Sequence, residues 1–351
     1  MKNYFHTPFF IRLFNWEYWN SAVVYAPLYP YYAWLSLKAR SLMFLTAANP
    51  LIRNGGFIME SKKDVYDLIP TKYYPATLLF NVGTSLTSVL TAMDGKGLAF
   101  PVIAKPDIGE RGLAVKKINT IAELEAYIAH IPVAYLVQEF IDHEHEVGIF
   151  YCKPPGAAKG YITGIVHKEP VMVTGDGSST IEQLVRANAR YLLQVTAIAE
   201  QLKDDIKIVL PLGISRVLVP YGNHSRGSKF TDHTFRATRK LNESIDRICS
   251  QIPEFYYGRL DVRFKSWNRL ECGEDISIIE VNGSGSEPTH IYDPGHSIFF
   301  AWREIIRHWN VLYKISRENN RRGVQYVTFS LVRKEINEFK HIDALLSARV
   351  W

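Results

Sequence analysis

The chain has 351 residues, of which 47% are hydrophobic and 22% are charged, and it contains no low-complexity segment. These fractions exclude a disordered chain, and the length leaves room for two or three packed units. The formal net charge is +6, but the basic residues are dispersed and form no long Lys/Arg run, so we do not expect nucleic acid as a partner.

The three cysteines indicate a reducing compartment. Cys152, Cys249 and Cys272 lie far apart and show no C-x-x-C spacing, so neither a zinc site nor a disulfide framework is indicated. The N-terminus also lacks the basic start, apolar run and cleavage site of a signal peptide. We therefore expect a cytoplasmic protein, with attachment to the inner face of a membrane as an open alternative.

Residues 1–60 form an atypical aromatic segment. The stretch from Tyr18 to Leu37 carries no charge and is crowded with tyrosine and tryptophan. It is long enough to span a bilayer, but Pro27 and Pro30 make it a poor spanning helix.

Two interpretations of this segment stay open. One is interfacial attachment, with Lys38 and Arg40 near lipid headgroups. The other is a segment that is buried or faces a partner. Peripheral contact with a membrane or a protein would then run through residues 1–48, and a homo-oligomer is a further alternative.

The pattern changes at Ser61, which is a candidate N-cap for a short helix ending before Pro70. A strand in ATLLF, a helix in TSLTSVLTAM, a buried strand in FPVIAKP, an amphipathic helix in INTIAELEAYIAHI and an apolar strand in AYLVQEFI follow in order. We expect these elements to form a compact α+β subdomain over residues 61–140.

Residues 141–310 are expected to form a second α+β subdomain. HEVGIFYCK and GYITGIVHKEPVMVTG alternate like antiparallel strands, and TIEQLVRANARYLLQVTAIAEQL is expected to be helical. RVLVPYGNHSRGSKFTDHT is expected to be a strand leading into a long polar loop. A helix in FRATRKLNESIDRICSQI precedes two further strands, and residues 311–351 are expected to form a helical tail interrupted at Glu318–Gly323.

Two separated segments carry the chemistry. VIAKPDIGERGLAV places Lys105 on an apolar strand that enters a glycine-flanked loop, and such a loop can surround a polyphosphate with backbone N–H groups. GRLDVRF and ISIIEVNG carry Asp261, Glu280 and Asn282, the last two on one face of their strand. Oxygen ligands of this kind suit Mg²⁺ held together with substrate phosphates.

In this order the segments resemble the ATP-grasp ligases, most closely the branch of D-alanine:D-alanine ligase, cyanophycin synthetase and bifunctional glutathione synthetase. VTGDGSSTIEQLV at 173–185 resembles the VxGDGxSTIxxL segment of that branch, and NHSRG at 223–227 resembles its N-x-S-x-G-G segment. The resemblance covers residues 61–310 and implies an ATP-grasp fold, in which two α+β subdomains clasp ATP.

The resemblance implies roles for individual residues. Lys62, with Lys63 as the alternative, and Lys105 would contact ATP phosphates under a flap at Ile108–Leu113. Residues 138–141 would be the hinge that reads adenine, and Glu146 would hold the ribose. The nucleotide set is Lys62, Lys105, Gly109, Glu110, Arg111, Gly112, Gln138, Glu139, Phe140, Ile141 and Glu146.

The acidic and histidine-rich run 142–146 also allows a zinc site, which we disfavour because no second ligand group follows at matching spacing. The metal ligands implied by the resemblance are Asp261, Glu280 and Asn282, for two Mg²⁺ ions with Mn²⁺ as an alternative.

The catalytic residues implied are Arg259, Lys105 and Arg226. The substrate contacts expected are Asn223, Ser225, Glu287, Thr289 and His290, with His290 also the candidate general base.

The function implied is an ATP-dependent ligase that joins a carboxylate and an amine through an acyl phosphate. Its substrates would be small molecules or groups linked to a carrier. Two alternatives remain open: an ATP-grasp kinase for a small molecule, and a non-catalytic nucleotide-binding scaffold that acts at a membrane or partner surface.

Overall fold

The structure is a computed structural model that describes residues 7–349, except 111, 220, 221, 223, 225 and 226. Its N-terminal segment is built from helices α1 (Pro8–Phe14), α2 (Ser21–Tyr25) and α3 (Tyr29–Ala39) and short 3₁₀ turns. Pro27 and Pro30 lie in the first turns of two successive helical pieces, where a missing N–H costs nothing. None of the helices described is both long enough and apolar enough to cross a membrane.

One face of α3 is buried and the other is exposed. Leu35 packs with Phe44 and Leu312 in one hydrophobic cluster. On the opposite face Trp34 and Leu37 are 48% and 78% exposed. The segment therefore belongs to the folded core and still presents an apolar surface.

The first subdomain has the elements that the sequence predicted, with one short strand added. It contains α4 (Lys62–Leu68), β1 (Thr77–Phe80), α5 (Leu86–Gly95), β2 (Val102–Pro106), β3 (Lys116–Ile118), α6 (Ile121–His130) and β4 (Tyr135–Glu139). Ser61 caps α4, since its side chain accepts a hydrogen bond from the Asp64 N–H at 3.1 Å. The four strands form one antiparallel sheet in the order β1-β4-β2-β3.

The second subdomain contains the larger sheet. Its elements are β5 (His145–Cys152), β6 (Tyr161–Glu169), β7 (Val171–Thr174), α7 (Ile181–Ala187), α8 (Val195–Leu202), β8 (Ser215–Val219), β9 (Lys229–Asp232), α9 (Arg239–Cys249), β10 (Tyr257–Phe264), α10 (Trp267–Cys272), β11 (Ile276–Asn282), α11 (Ile298–Arg321) and α12 (Phe329–Ser347). Five strands form an antiparallel sheet in the order β11-β10-β5-β6-β9, and β7 and β8 pair in a separate ribbon. The predicted α+β class is confirmed.

Three details differ from the sequence prediction. The predicted helix over 180–202 is split, because Asn188 takes an extended conformation at the end of α7. The predicted polar loop contains β9, which exists because it pairs with β6 some sixty residues earlier, as the Lys229–Glu169 pair shows. The interruption expected at Glu318–Gly323 begins later, because α11 continues to Arg321.

The last two helices tie the parts together. α11 runs through residue 310, so the predicted boundary between the second subdomain and the tail falls inside a continuous helix. Leu346 of α12 packs into the core of the first subdomain. Glu335 of the same helix pairs with Arg53 of the N-terminal segment at 2.7 Å.

Candidate active site

A cavity of about 760 Å³ is lined by strands of both sheets and by the N-terminal segment. Sixteen of the sequence-predicted site residues line it, and these are Lys62, Lys105, Gly109, Glu110, Gly112, Gln138, Glu139, Phe140, Ile141, Glu146, Arg259, Asp261, Glu280, Asn282, Glu287 and Thr289. Arg111, Asn223, Ser225 and Arg226 lie outside the described residues.

Strand pairing puts the proposed metal ligands on one face. In the antiparallel pair of β10 and β11, Asp261 is directly opposite Glu280 and Arg259 is directly opposite Asn282. Residues that face each other across an antiparallel pair project to the same side of the sheet. Arg259, Asp261, Glu280 and Asn282 therefore share the face that borders the cavity.

A glycine on the neighbouring strand makes room for these side chains. Gly148 of β5 is the partner of Asp261. A Cβ atom at Gly148 would lie 2.8 Å from the Val166 Cγ1 atom and 3.1 Å from both Arg259 Cδ and Asp261 Oδ1. Any side chain at this position would press on the arginine and the carboxylate.

Asp261 is held by two cations. Arg259 Nε donates to Asp261 Oδ1 at 2.9 Å, and Lys168 Nζ lies 3.0 Å from Asp261 Oδ2. Burial opposes ionisation of Asp261, but Arg259 and then Lys168 outweigh it and bring the pKa down to about 2. Asp261 is therefore a carboxylate at neutral pH.

Lys168 connects the metal face to the predicted ribose site. Its ammonium donates to Glu146 Oε1 at 3.0 Å, and Glu146 also pairs with Arg263 at 3.4 Å. Burial of Lys168 is offset by Asp261 and Glu146, so its pKa is raised above the usual value. The sequence analysis missed Lys168, although it too is a lysine on a mostly apolar strand, which was the signal that selected Lys105.

Lys105 is buried among neutral oxygens. Its ammonium donates to the Tyr66 hydroxyl and to Gln138 Oε1, both at 2.9 Å, and to the Ile279 carbonyl at 3.2 Å. Burial lowers its pKa to about 8, although Glu280 opposes the fall. The lysine thus bridges the first subdomain and the residue next to Glu280, with no carboxylate in direct contact among the described residues.

Lys62 positions the glycine loop. Its ammonium donates to the carbonyls of Asp107 and Gly109, at 3.2 and 2.7 Å. Lys63, the alternative, pairs with Asp67 one turn along α4. Gly112 has φ of 67°, which glycine adopts without the strain that a side chain would add.

The hinge residues line the cavity, but their side chains have other partners. Gln138 is buried and bridges Lys105 and Thr77, so its amide is not available to a base edge. The Phe140 ring lies 3.8 Å from the Lys117 ammonium. A flat apolar surface of this kind is suited to an aromatic ring system.

Of the predicted site residues that the structure describes, His290 is the one that does not line the cavity. It is 3% exposed and its Nε2 atom is 3.4 Å from Glu304, on the side where β6 provides Gly164 to make space. The side chain is turned into the protein because α11 offers it a carboxylate there. A substrate contact or base at His290 is therefore not supported by its position.

The N-terminal segment contributes residues that the sequence analysis did not select. Ser21, Tyr25, Phe57, Met59 and Glu60 line the cavity. Burial raises the pKa of Glu60 above its usual value. No local pattern marks these residues as functional, because they reach the site only through tertiary packing.

The donors on β11 fit a divalent cation. Among the described residues, the Glu280 carboxylate makes no hydrogen bond or ion pair, and the Asn282 amide nitrogen is buried with no partner. An amide rotated by 180° would present its oxygen at that point. The described part of the chain has no group of three His, Cys, Asp or Glu arranged for a metal. The predicted ligand set consists instead of two carboxylates and one amide, and oxygen ligands of this kind suit Mg²⁺.

The chain is similar to several solved ligases. A bifunctional glutathione synthetase from Pasteurella multocida is 15% identical with a TM-score of 0.38, and the match covers 73% of this chain and 38% of that one. The VanG D-Ala:D-Ser ligase from Enterococcus faecalis is 15% identical with a TM-score of 0.41, over 72% of this chain and 61% of that one. D-alanine–D-alanine ligase from Bacillus anthracis is 10% identical with a TM-score of 0.40, over 75% and 68%.

This chain thus spans less than two thirds of the length of the first two structures. No family model matches the sequence, and no curated protein matches it. The two α+β subdomains border one cavity, to which the first contributes a buried lysine and the second an arginine and two carboxylates. This placement of the side chains is the one expected from the resemblance seen in the sequence.

Proposed function

We propose that the protein is an ATP-dependent ligase that joins a carboxylate to an amine through an acyl phosphate. The observation that carries the proposal is the shared cavity, which is bordered by Lys105 of one sheet and by Arg259, Asp261, Glu280 and Asn282 of the other. Cations and metal-binding oxygens on opposite walls suit a triphosphate lying between them.

The first step would transfer the terminal phosphoryl group. A substrate carboxylate oxygen attacks the γ-phosphorus, the bond to the β-phosphate oxygen breaks, and ADP leaves. Lys105 and Lys168 would supply positive charge near the phosphates, and Arg259, which Asp261 holds through two hydrogen bonds, would stabilise the charge on the transferring group. Mg²⁺ held by Glu280, Asn282 and Asp261 would neutralise phosphate charge when bound.

The second step would form the amide. The amine nitrogen attacks the acyl carbon, the C–N bond forms, the C–O bond to phosphate breaks, and phosphate leaves with the electron pair and takes up the proton that the nitrogen releases. Arg259 would stabilise the oxyanion of this step as well. The Lys62 contacts with the glycine loop would hold that loop at the edge of the cavity, and closure of the cavity would exclude the water that hydrolyses an acyl phosphate.

A screen of carboxylate and amine pairs for ADP release tests the proposal. We expect ADP and an amide product together, and we expect Glu280→Gln to lower kcat by about 100-fold or more because the substitution removes a negative charge from the Mg²⁺ site. Glu125→Gln is the matched control, since Glu125 is exposed on α6. Parental turnover in Glu280→Gln would refute the metal role.

Product analysis separates the alternatives. A stable phosphoester together with ADP would indicate a small-molecule kinase. Absence of ADP release in the presence of nucleotide binding would indicate a scaffold.

A further inference from the structure

One end of the cavity holds a carboxylate whose partners are two tyrosines. The Tyr25 hydroxyl donates to Glu287 Oε1, and the Tyr292 hydroxyl donates to Glu287 Oε2 at 2.9 Å. Burial and then the neighbouring Glu287 raise the pKa of Tyr25 well above its usual value, so this hydroxyl stays protonated and acts as a donor. All three residues line the cavity.

The Glu287 carboxylate has no cationic partner among the described residues. By contrast, Asp261 and Glu146 each pair with a lysine and an arginine. Arg259 comes near, but it donates to the Glu287 backbone carbonyl at 3.4 Å while its other nitrogens hold Asp261. A negative charge with only hydroxyl donors leaves room for an external cation.

Aromatic rings surround this carboxylate. Tyr292 stacks on Trp16 with ring centroids 5.5 Å apart, and the His224 ring lies 5.1 Å from Tyr292. Tyr25 packs against Trp309 at 6.0 Å. Aromatic faces beside a carboxylate attract an ammonium group through its positive charge, and they offer little to an anion.

The surroundings hold the three residues in place. Trp302 donates from its indole to the Val24 carbonyl at 2.9 Å, next to Tyr25. The carbonyls of Gly55 and Gly56 accept from Ser284 and Gly285 at 3.0 and 2.9 Å, which fixes the loop before Glu287. The N-terminal segment and the loop after β11 are therefore joined by hydrogen bonds in one wall of the cavity.

We propose that Glu287, Tyr25 and Tyr292 form the subsite that recognises the amine substrate as an ammonium ion. The proposal rests on the ligase function above and names the class of its second substrate: a primary amine that is charged in solution. The amine gives up a proton to Glu287 before its nitrogen attacks the acyl carbon. The contact between Arg259 and the Glu287 carbonyl places this subsite beside the arginine assigned to the reacting group.

The test compares two nucleophiles in Glu287→Gln and Tyr25→Phe. Hydroxylamine is uncharged at neutral pH and converts an acyl phosphate to a hydroxamate without needing an ammonium subsite. We expect Glu287→Gln to raise KM for the amine by about tenfold or more, because a charge-assisted contact is lost, and to leave hydroxamate formation within about threefold of the parental rate. Tyr25→Phe should shift KM in the same direction by a smaller factor.

The controls are Tyr32→Phe and Glu125→Gln. The Tyr32 hydroxyl donates to the Leu42 carbonyl, away from the cavity. An unchanged KM in Glu287→Gln, or an equal fall in amide and hydroxamate formation, overturns the subsite. Thermal unfolding of each variant checks that the fold is kept.

A binding measurement separates failure of the subsite from failure of the ligase function. If the parental protein forms no hydroxamate with any carboxylate, the ligase proposal fails. Saturation-transfer NMR with 1,3-diaminopropane and with 1,3-propanediol, in the presence of Mg²⁺ and ADP, still tests the subsite. We expect 1,3-diaminopropane, and not 1,3-propanediol, to bind the parental protein, and we expect neither compound to bind Glu287→Gln. Equal binding of 1,3-diaminopropane to the parental protein and to Glu287→Gln refutes the subsite.

Discussion

The affinity for nucleotide should depend on pH through Lys105. Burial lowers the pKa of this lysine from 10.5 to about 8 in the free protein. A polyphosphate beside the ammonium favours the charged form and should return the pKa towards its ordinary value. Because the lysine binds the nucleotide while protonated, affinity should fall as the pH rises through 8.

The size of the effect follows from the two pKa values. About three quarters of the free protein carries a proton on Lys105 at pH 7.5, and about one tenth does at pH 9. If the bound lysine stays protonated over this range, Kd for Mg²⁺-ADP should rise about eightfold between these pH values. Isothermal titration calorimetry at pH 7.5, 8.2 and 9 measures the change, since ADP itself is fully ionised in this interval.

Two variants show whether Lys105 is the source. Lys105→Met should bind weakly with no dependence on pH, because the titrating group is gone. Lys159→Met removes an exposed lysine and should keep the parental dependence. A change in Kd below twofold for the parental protein, or an undiminished pH dependence in Lys105→Met, would show that the reasoning is wrong.

Two further predictions concern packing and the exposed face of α3. Gly148→Ala should lower kcat by about tenfold or more and the free energy of unfolding by about 1–3 kcal/mol, because the new methyl group presses on the arginine–carboxylate pair. Gly95→Ala is the control, since Gly95 has open space around it. Activity of Gly148→Ala within twofold of the parental value would contradict the prediction. The exposed Trp34 and Leu37 should mediate binding to vesicles with anionic lipid, so substitution of both by serine should reduce cosedimentation at least about fivefold. Leu212→Ser, at a residue 79% exposed, should not reduce it. Equal cosedimentation of the parental protein, the double variant and Leu212→Ser would exclude an interface at α3.

The charges of the N-terminal segment are the reason for expecting binding to anionic lipid. Between residues 7 and 59 the single acidic residue is Glu17, and it is paired with Arg190 and His224. Lys38 follows the exposed apolar face, with its ammonium 4.2 Å from the Trp34 ring. Cations beside an apolar face favour an anionic membrane surface.

The sequence predicted elements whose signals are local. The Ser61 cap, the apolar period of α6 and the apolar runs of β2 and β4 depend on residues within one turn or one strand, and all four agree with the structure. β9 escaped prediction because its pairing with β6 is distant in the chain. The split between α7 and α8 escaped because the helical pattern gives little weight to one extended asparagine.

The site residues also differ in whether local sequence could identify them. Arg259, Asp261, Glu280 and Asn282 could be selected from their spacing, since alternate residues of a strand share a face. His290 could not be excluded from sequence, because its orientation depends on Glu304 of a later helix. Lys168 could have been selected from sequence, because it is a lysine on a mostly apolar strand.

What the sequence determined by itself is the chemical inventory: a lysine entering a glycine loop, and an arginine, two carboxylates and an amide at strand spacing. Only the tertiary structure decided that the aromatic N-terminal segment is a wall of the same cavity, with Tyr25 held against Glu287. The physical reason is that local hydrogen bonding and side-chain periodicity specify helices and strands, whereas a contact between residues far apart in the chain depends on how the buried faces of whole elements pack.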